Sequence, residues 1–201
     1  AIEKTYPNDI RYSHKRLYSS NCFDYDESGE FESKWHKQKE LQESAVYEIF
    51  STYGVSSVLQ FGKELNEELW VAQNLGKKLK EKDVNMLISL GYRAEIDKDF
   101  LVSAINGYVI INNYDSIEKL DFEKYPADYV SSILSHISPS MELFKIAEQI
   151  LGKDFNLFWK DLSIPRIGLH DNINTQYVWE HLVDCERFAA AINLFGITAK
   201  H

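Results

Sequence analysis

Cysteine is nearly absent from this chain. Cys22 and Cys185 are its only two in 201 residues, too few and too isolated to make a disulfide framework, so a reducing compartment is expected. No apolar run approaches the roughly 20 residues of a bilayer span and no secretory leader pattern opens the chain; the expected location is the cytoplasm, with no membrane partner. Positive charge is also scarce: 22 Lys and Arg against 31 Asp and Glu give a net charge of -9 and a pI near 5.2. Such a field repels phosphate backbones and anionic lipid, which argues against nucleic acid as a primary partner. The two locally basic stretches, Arg11–Arg16 and Lys77–Lys82, do not alter this, and the second reads as a solvated helix end. A phosphate-cradling glycine loop is missing too, since Gly62-Lys63 is followed by Glu64 where a P-loop needs Ser or Thr.

What is present belongs to ordinary globular protein. A hydrophobic fraction of 44% and a charged fraction of 26% exclude wholesale disorder, and 13% aromatic residues suggest large side chains wedged between elements. The length suits one sizeable core or an array of stacked hairpins. Proline and glycine, few in number, act as punctuation. The stretch from Tyr125 to Phe195 shows this best, as a run of short amphipathic helices, each opened by a capping residue and closed by Gly or Pro.

Residues 1–29 show no sustained period and read as an irregular lead-in, with one short helix near Asp9–Leu17 and with aromatics that pack along the first hairpin. Residues 30–201 read as a helical-repeat domain. A long pattern through Phe31, Trp35, Leu41, Ala45, Val46, Ile49 and Phe50 stops at Gly54. Val55 to about Glu64 follows, then a helix capped by Asn66 and ended by a left-handed turn at Gly76, then Val84–Leu90 closed by Gly91. Asp99 to about Asn112 is read as a fifth helix, although the β-branched Tyr108-Val109-Ile110-Ile111 makes a strand its competitor. A connection with a short helix near Ser116–Leu120 precedes Ala127–Ile137, Met141–Leu151, Asp154–Leu162, Asn174–Val183 and Glu186–Phe195, with Pro139 at a helix start. Helices this short cannot bury their apolar stripes alone and must stack on neighbours, so the expected fold is all-α: stacked antiparallel helix hairpins in a solenoid like that of tetratricopeptide repeats. The start at Ala1, running straight into polar sequence, suggests a piece of a longer polypeptide.

Several groups could carry chemistry, and each has a plainer reading. His181 and Cys185 stand four apart on a predicted helix, but no second ligand pair exists, so a small buried thiol and a surface histidine are expected and no metal. His170-Asp171, in the loop after Pro165 and Gly168, is the candidate partner for a Cys185 nucleophile; a small Cys/His enzyme is the alternative from a different class. Glu64, Glu67, Glu68, Asp97 and Asp99 read as solvated helix faces. Trp70, Phe155, Phe158, Trp159, Tyr177 and Trp179 lie at helical spacing and mostly serve packing. Trp70, Trp159 and Trp179, with Tyr125, Tyr129 and the loop residue His170, are the candidates for a concave binding face. No catalytic set and no cofactor is expected.

Certain segments carry a resemblance. They are Ala45–Phe50 with Tyr53-Gly54-Val55, Val58–Lys63, Glu68–Gly76, Gly91-Tyr92, Ile133–Ile137 with Pro139, Leu151-Gly152, Phe158-Trp159 and Cys185–Ile192. Together they resemble the degenerate helical repeats on the C-terminal side of large bacterial signal-transducing NTPases of the STAND type, including antiviral members that sense phage proteins. The resemblance implies an accessory module in which ligand recognition by the repeats releases or assembles an NTPase core. Its partners would be a protein ligand or neighbouring domains of the same chain, and an intramolecular scaffold or autoinhibitory arm is the rival role.

Overall fold

Gly54 ends the first helix with φ of 84°, a conformation that side chains with a Cβ resist. A computed structural model of the protein describes residues 31–163, 173–185 and 187. Among these, every regular element is helical. Helix α1 spans Phe31–Tyr53, α2 Val55–Leu65, α3 Glu68–Gly76, α4 Glu81–Tyr92 and α5 Lys98–Asn112. Short 3-10 turns over Tyr114–Lys119 and Phe122–Lys124 lead to α6 at Ala127–Leu134 and α7 at Met141–Leu151. A 3-10 turn at Gly152–Asp154 joins α7 to α8, Phe155–Asp161, and α9 is Thr175–Asp184. The lead-in over 1–29 and the helix expected over 186–195 lie outside the described residues, as do Cys22, His170 and Asp171.

The chain divides into two compact units: residues up to Ile88 with Asp99–Ile111, and Ser89–Lys98 with Asn112 onward. In the first unit, α1 packs on both α2 and α3, and α2 packs on α3. Val46, Ile49, Val58, Phe61, Val71 and Leu75 are withdrawn from water between them. Helix α5 wins over the strand alternative at Tyr108–Ile111 because Phe100, Leu101, Ala104, Ile105 and Tyr108, spaced at helical intervals, are all buried. In the second unit, α6 packs on α7 and α8, α7 on the 3-10 turn at Tyr114–Lys119, and α9 on α8. Ser131 on α6 donates to the Asp161 carboxylate at the end of α8 at 3.0 Å. The Tyr114 hydroxyl donates to the Ser138 carbonyl at 2.8 Å.

The helix ends correct several expectations. Asn66 does not open α3 but closes α2: it sits at φ 57°, and the amides of Asn66 and Glu67 reach back to the Lys63 and Gly62 carbonyls, the two bonds of a Schellman motif. Helix α4 runs through Gly91 to Tyr92 and ends on a second such motif, with Ala94 at φ 56° and the amides of Ala94 and Glu95 bonded to the Gly91 and Leu90 carbonyls. An L-alanine there costs about 1 kcal/mol against glycine. Gly76 makes no left-handed turn; it stays helical and lies against α5, where a Cβ would fall 1.9 Å from the Ala104 carbonyl oxygen. Pro139 precedes rather than starts a helix, because Ser140 takes the cap and accepts the Leu143 amide at 3.0 Å. Asn174 caps α9 in the same way, accepting from Tyr177 at 3.1 Å.

Candidate functional site

Two ordinary pieces of local structure bring three tyrosines together in the second unit. Tyr125 precedes Pro126, which holds it extended at ψ 155°; Pro126 is the residue before α6, and Tyr129 follows in the first turn of that helix. The rings of Tyr125 and Tyr129 thus meet across the helix start, with centroids 5.7 Å apart. Tyr92 ends α4, and the reversal at Ala94 leaves its ring in the same place, 5.3 Å from Tyr125 and 5.1 Å from Tyr129 with edge-to-face tilts of 62° and 65°. Such tilts place the positive edge of one ring on the negative face of another.

The cluster is an outer surface. Tyr92 is 51% exposed, while Tyr125 and Tyr129 are half-buried. Burial, with a smaller contribution from Tyr125, pushes the Tyr129 phenol up to about 12. The folded chain therefore holds this proton at pH values where an unfolded chain, with a phenol near pH 10, has lost it. Stability contributed by Tyr129 is present below about pH 10 and falls away between about pH 10 and 12. A spectrophotometric titration of phenolate should show a late component near pH 12 that Tyr129→Phe removes; its loss in Tyr92→Phe instead would misplace the buried phenol.

The charged residues next to these tyrosines in the chain are unevenly engaged. Lys124 is held by Asp121, and Arg93 by Glu95 at 2.5 Å. Glu123 and Asp128 are exposed, and the Asp128 carboxylate accepts the Tyr129 amide at 2.8 Å.

The other expected site residues are placed differently. Trp159 is 1% exposed and forms the centre of an aromatic core, against Phe144 at 5.1 Å, Phe155 at 5.7 Å, Phe158 at 5.5 Å and Tyr177 at 6.0 Å. It therefore offers no surface to a ligand. His181 is not a surface histidine: half-buried, it stacks on Trp159 at 4.9 Å and lies against Tyr177 at 4.2 Å. Its Nδ1 lies 2.8 Å from the Tyr177 carbonyl. Cys185 is buried, with Sγ 3.6 Å from the Asn156 carbonyl oxygen. Among the described residues, the Trp159 indole nitrogen and the Tyr177 hydroxyl have no hydrogen-bond partner. Arg187 crosses from beyond α9 to the end of α8, donating to the carbonyls of Trp159 at 2.5 Å and Leu162 at 2.7 Å, a cationic cap on a helix C-terminus.

Trp179 on α9 is half-buried. Trp70, in the first unit, is 41% exposed, and the Lys77 ammonium sits 5.6 Å from its ring centroid. The same ammonium donates to Glu43 and Asn74, each at 3.0 Å. Lys77 is thus a buried ion-pair partner rather than part of a solvated basic terminus.

Of the expected residues the structure brings Tyr125 and Tyr129 together, and it adds Tyr92. The signal for Tyr92 was its position four residues beyond Val84-to-Ile88 spacing, which continues the apolar stripe past Gly91. No helix of the described residues is long and apolar enough to cross a membrane. Comparison of the chain with protein-family models, curated proteins and solved structures finds no match.

Proposed function

We propose that this chain is a non-enzymatic, cytoplasmic module of stacked helix hairpins that recognises a protein, serving as the sensor portion of a larger bacterial signalling or defence NTPase. The exposed tyrosine cluster is the observation that carries the recognition role. Tyrosine combines large contact area with few rotors and a polar tip, which is why it is enriched where proteins meet. The hairpin-stack reading draws support from three contacts between a helix and the next but one: α1 with α3 and α6 with α8, and α3 with α5 through Gly76. Repeats that bury their stripes against nearest neighbours have this pattern. The sensor role and the NTPase context come from the resemblance of the repeat segments.

Placing a photoreactive benzophenone amino acid at position 92 of the protein as expressed in its host tests the reading. The expected product is a crosslink to a separate polypeptide, lost when Tyr125 and Tyr129 are both changed to alanine. Crosslinks confined to the chain's own neighbouring domains would make the module an intramolecular arm, and no crosslink at all would end the recognition reading.

A further inference from the structure

We propose that the cluster of Tyr92, Tyr125 and Tyr129 docks a basic segment of its partner, an arginine side chain lying against the exposed tyrosine faces with its charge answered by Glu123 and Asp128. The inference rests on the cluster being the recognition surface. It adds the chemistry of what is recognised.

Three observations converge on a cation. The first is the aromatic surface itself, since the face of a phenol ring carries negative potential that attracts guanidinium and ammonium groups within about 6 Å. The second is the local charge. The two cations nearest in sequence are already engaged, Lys124 by Asp121 and Arg93 by Glu95, whereas among the described residues Glu123 and Asp128 form no ion pair. Asp128 is also fixed in place, because its carboxylate accepts the amide of Tyr129 at 2.8 Å. The third is the net charge of -9 on the whole chain, which speeds the approach of a basic partner and opposes an acidic or phosphorylated one.

The geometry narrows the mode of contact. Ring centroids 5.1, 5.3 and 5.7 Å apart put the centre of the triangle only about 3 Å from each ring, closer than the ring-to-cation distances of aromatic cages. A cation therefore cannot enter the triangle. It must stack from outside, where the planar guanidinium of arginine, weakly hydrated and suited to lying on a ring while donating sideways to carboxylates, fits better than the compact ammonium of lysine.

The test uses the full 201-residue chain and a fluorescent peptide of alternating glycine and arginine, with glycine–lysine, glycine–serine and glycine–glutamate peptides as comparisons, read by anisotropy. The arginine peptide should bind most tightly and the glutamate peptide not at all. Tyr92→Ala should weaken arginine-peptide binding about tenfold, the scale of one cation–π contact with its ring area, while Tyr92→Phe retains it. The pair Glu123→Gln with Asp128→Asn, which keeps side-chain size, should weaken binding about fivefold or more and flatten its salt dependence. Serine-peptide binding equal to arginine-peptide binding would overturn the inference. So would an arginine affinity indifferent to Tyr92→Ala, because the attraction would then belong to the overall charge. If position 92 crosslinks to a partner in the host while the arginine peptide ignores the cluster, recognition stands and its basic chemistry falls; absence of the crosslink removes the recognition reading itself.

Discussion

Gly107→Ala is expected to lower the stability of the protein by about 2–3 kcal/mol net, although alanine is the better helix former by about 1 kcal/mol. A Cβ on Gly107 would fall 2.0 Å from the Gln73 carbonyl oxygen, 2.9 Å from its carbon and 3.1 Å from the Gly76 Cα. Gly76 returns the relation, with its Cβ position 1.9 Å from the Ala104 oxygen and 2.8 Å from the Ala104 carbon. All of these neighbours are backbone, which cannot rotate aside as a side chain can. The only relief is separation of α3 from α5, which opens the packing around Leu75, Ala104 and Tyr108, all buried. Gly76→Ala should cost as much. Gly62→Ala, whose Cβ would meet the Glu68 Cα at 3.0 Å, should cost less, since a few tenths of an ångström suffice there. Urea unfolding followed by circular dichroism ranks the three. The double variant of Gly76 and Gly107 should be less destabilising than the sum of its parts, because helices already forced apart by one methyl accommodate the second. A Gly107→Ala protein at least as stable as wild type would mean that the two backbones do not touch.

The same glycines show how far a string of residues can be read. Gly76 and Gly91 both read as helix ends, and a helix does end near each, yet neither glycine takes the left-handed conformation. At the end of α4 that conformation falls on Ala94, and at the end of α2 on Asn66, where the sequence suggests a helix start. Sequence displays a glycine but not whether it is needed for its φ or for its missing Cβ, and only the position of α5 against α3 decides between them. The bonds that Ser140 and Asn174 make to amides three residues on are local, but several Ser, Asn and Pro residues near each helix start compete for the same place.

The all-helical character was legible because apolar residues recur at helical spacing within each element. Of the ambiguous Tyr108–Ile111 segment, Tyr108 and Val109 join the core face of α5, while Ile110 and Ile111 stay exposed. Among candidate site residues, Tyr125 and Tyr129 share one helix start, so local spacing alone pairs them. Tyr92 lies 33 positions before Tyr125 in the chain and joins them only through the fold. Trp159 differs for the opposite reason: helical spacing puts Phe155, Phe158 and Trp159 near one another, but only the packing of α6, α7 and α9 around α8 buries all three.

Glu43→Ala is expected to destabilise the protein by about 3 kcal/mol, the loss associated with removing one partner of a buried ion pair. The Glu43 and Lys77 side chains are 10% and 7% exposed, and the Lys77 ammonium lies 3.0 Å from the carboxylate. Glu43 also faces Lys78 at 3.6 Å, so its removal leaves two cations side by side, one of them with only the Asn74 amide oxygen and the Trp70 ring for company. The reverse deletion is milder. Lys77→Met fills the channel with apolar volume and leaves Glu43 its second lysine, so a cost of about 1 kcal/mol is expected. Replacing both, as Glu43→Leu with Lys77→Met, should recover most of the loss, because the desolvation penalty of the pair disappears with the pair. Thermal melts of wild type, Glu43→Leu, Lys77→Met and the double variant at two salt concentrations complete the cycle, and the coupling should change little with salt, since a pair this withdrawn from water is weakly screened. Equal losses from Glu43→Ala and Lys77→Met would show that Lys78 does not share the carboxylate. A double variant as unstable as Glu43→Ala would show that the site packs around charge rather than merely tolerating it. Trp70→Ala separates the remaining possibility: if the indole shields Lys77, its loss should cost about 1 kcal/mol in wild type and much less in Lys77→Met, and Trp70 is then a cover for the ion pair before it is a contact for any ligand.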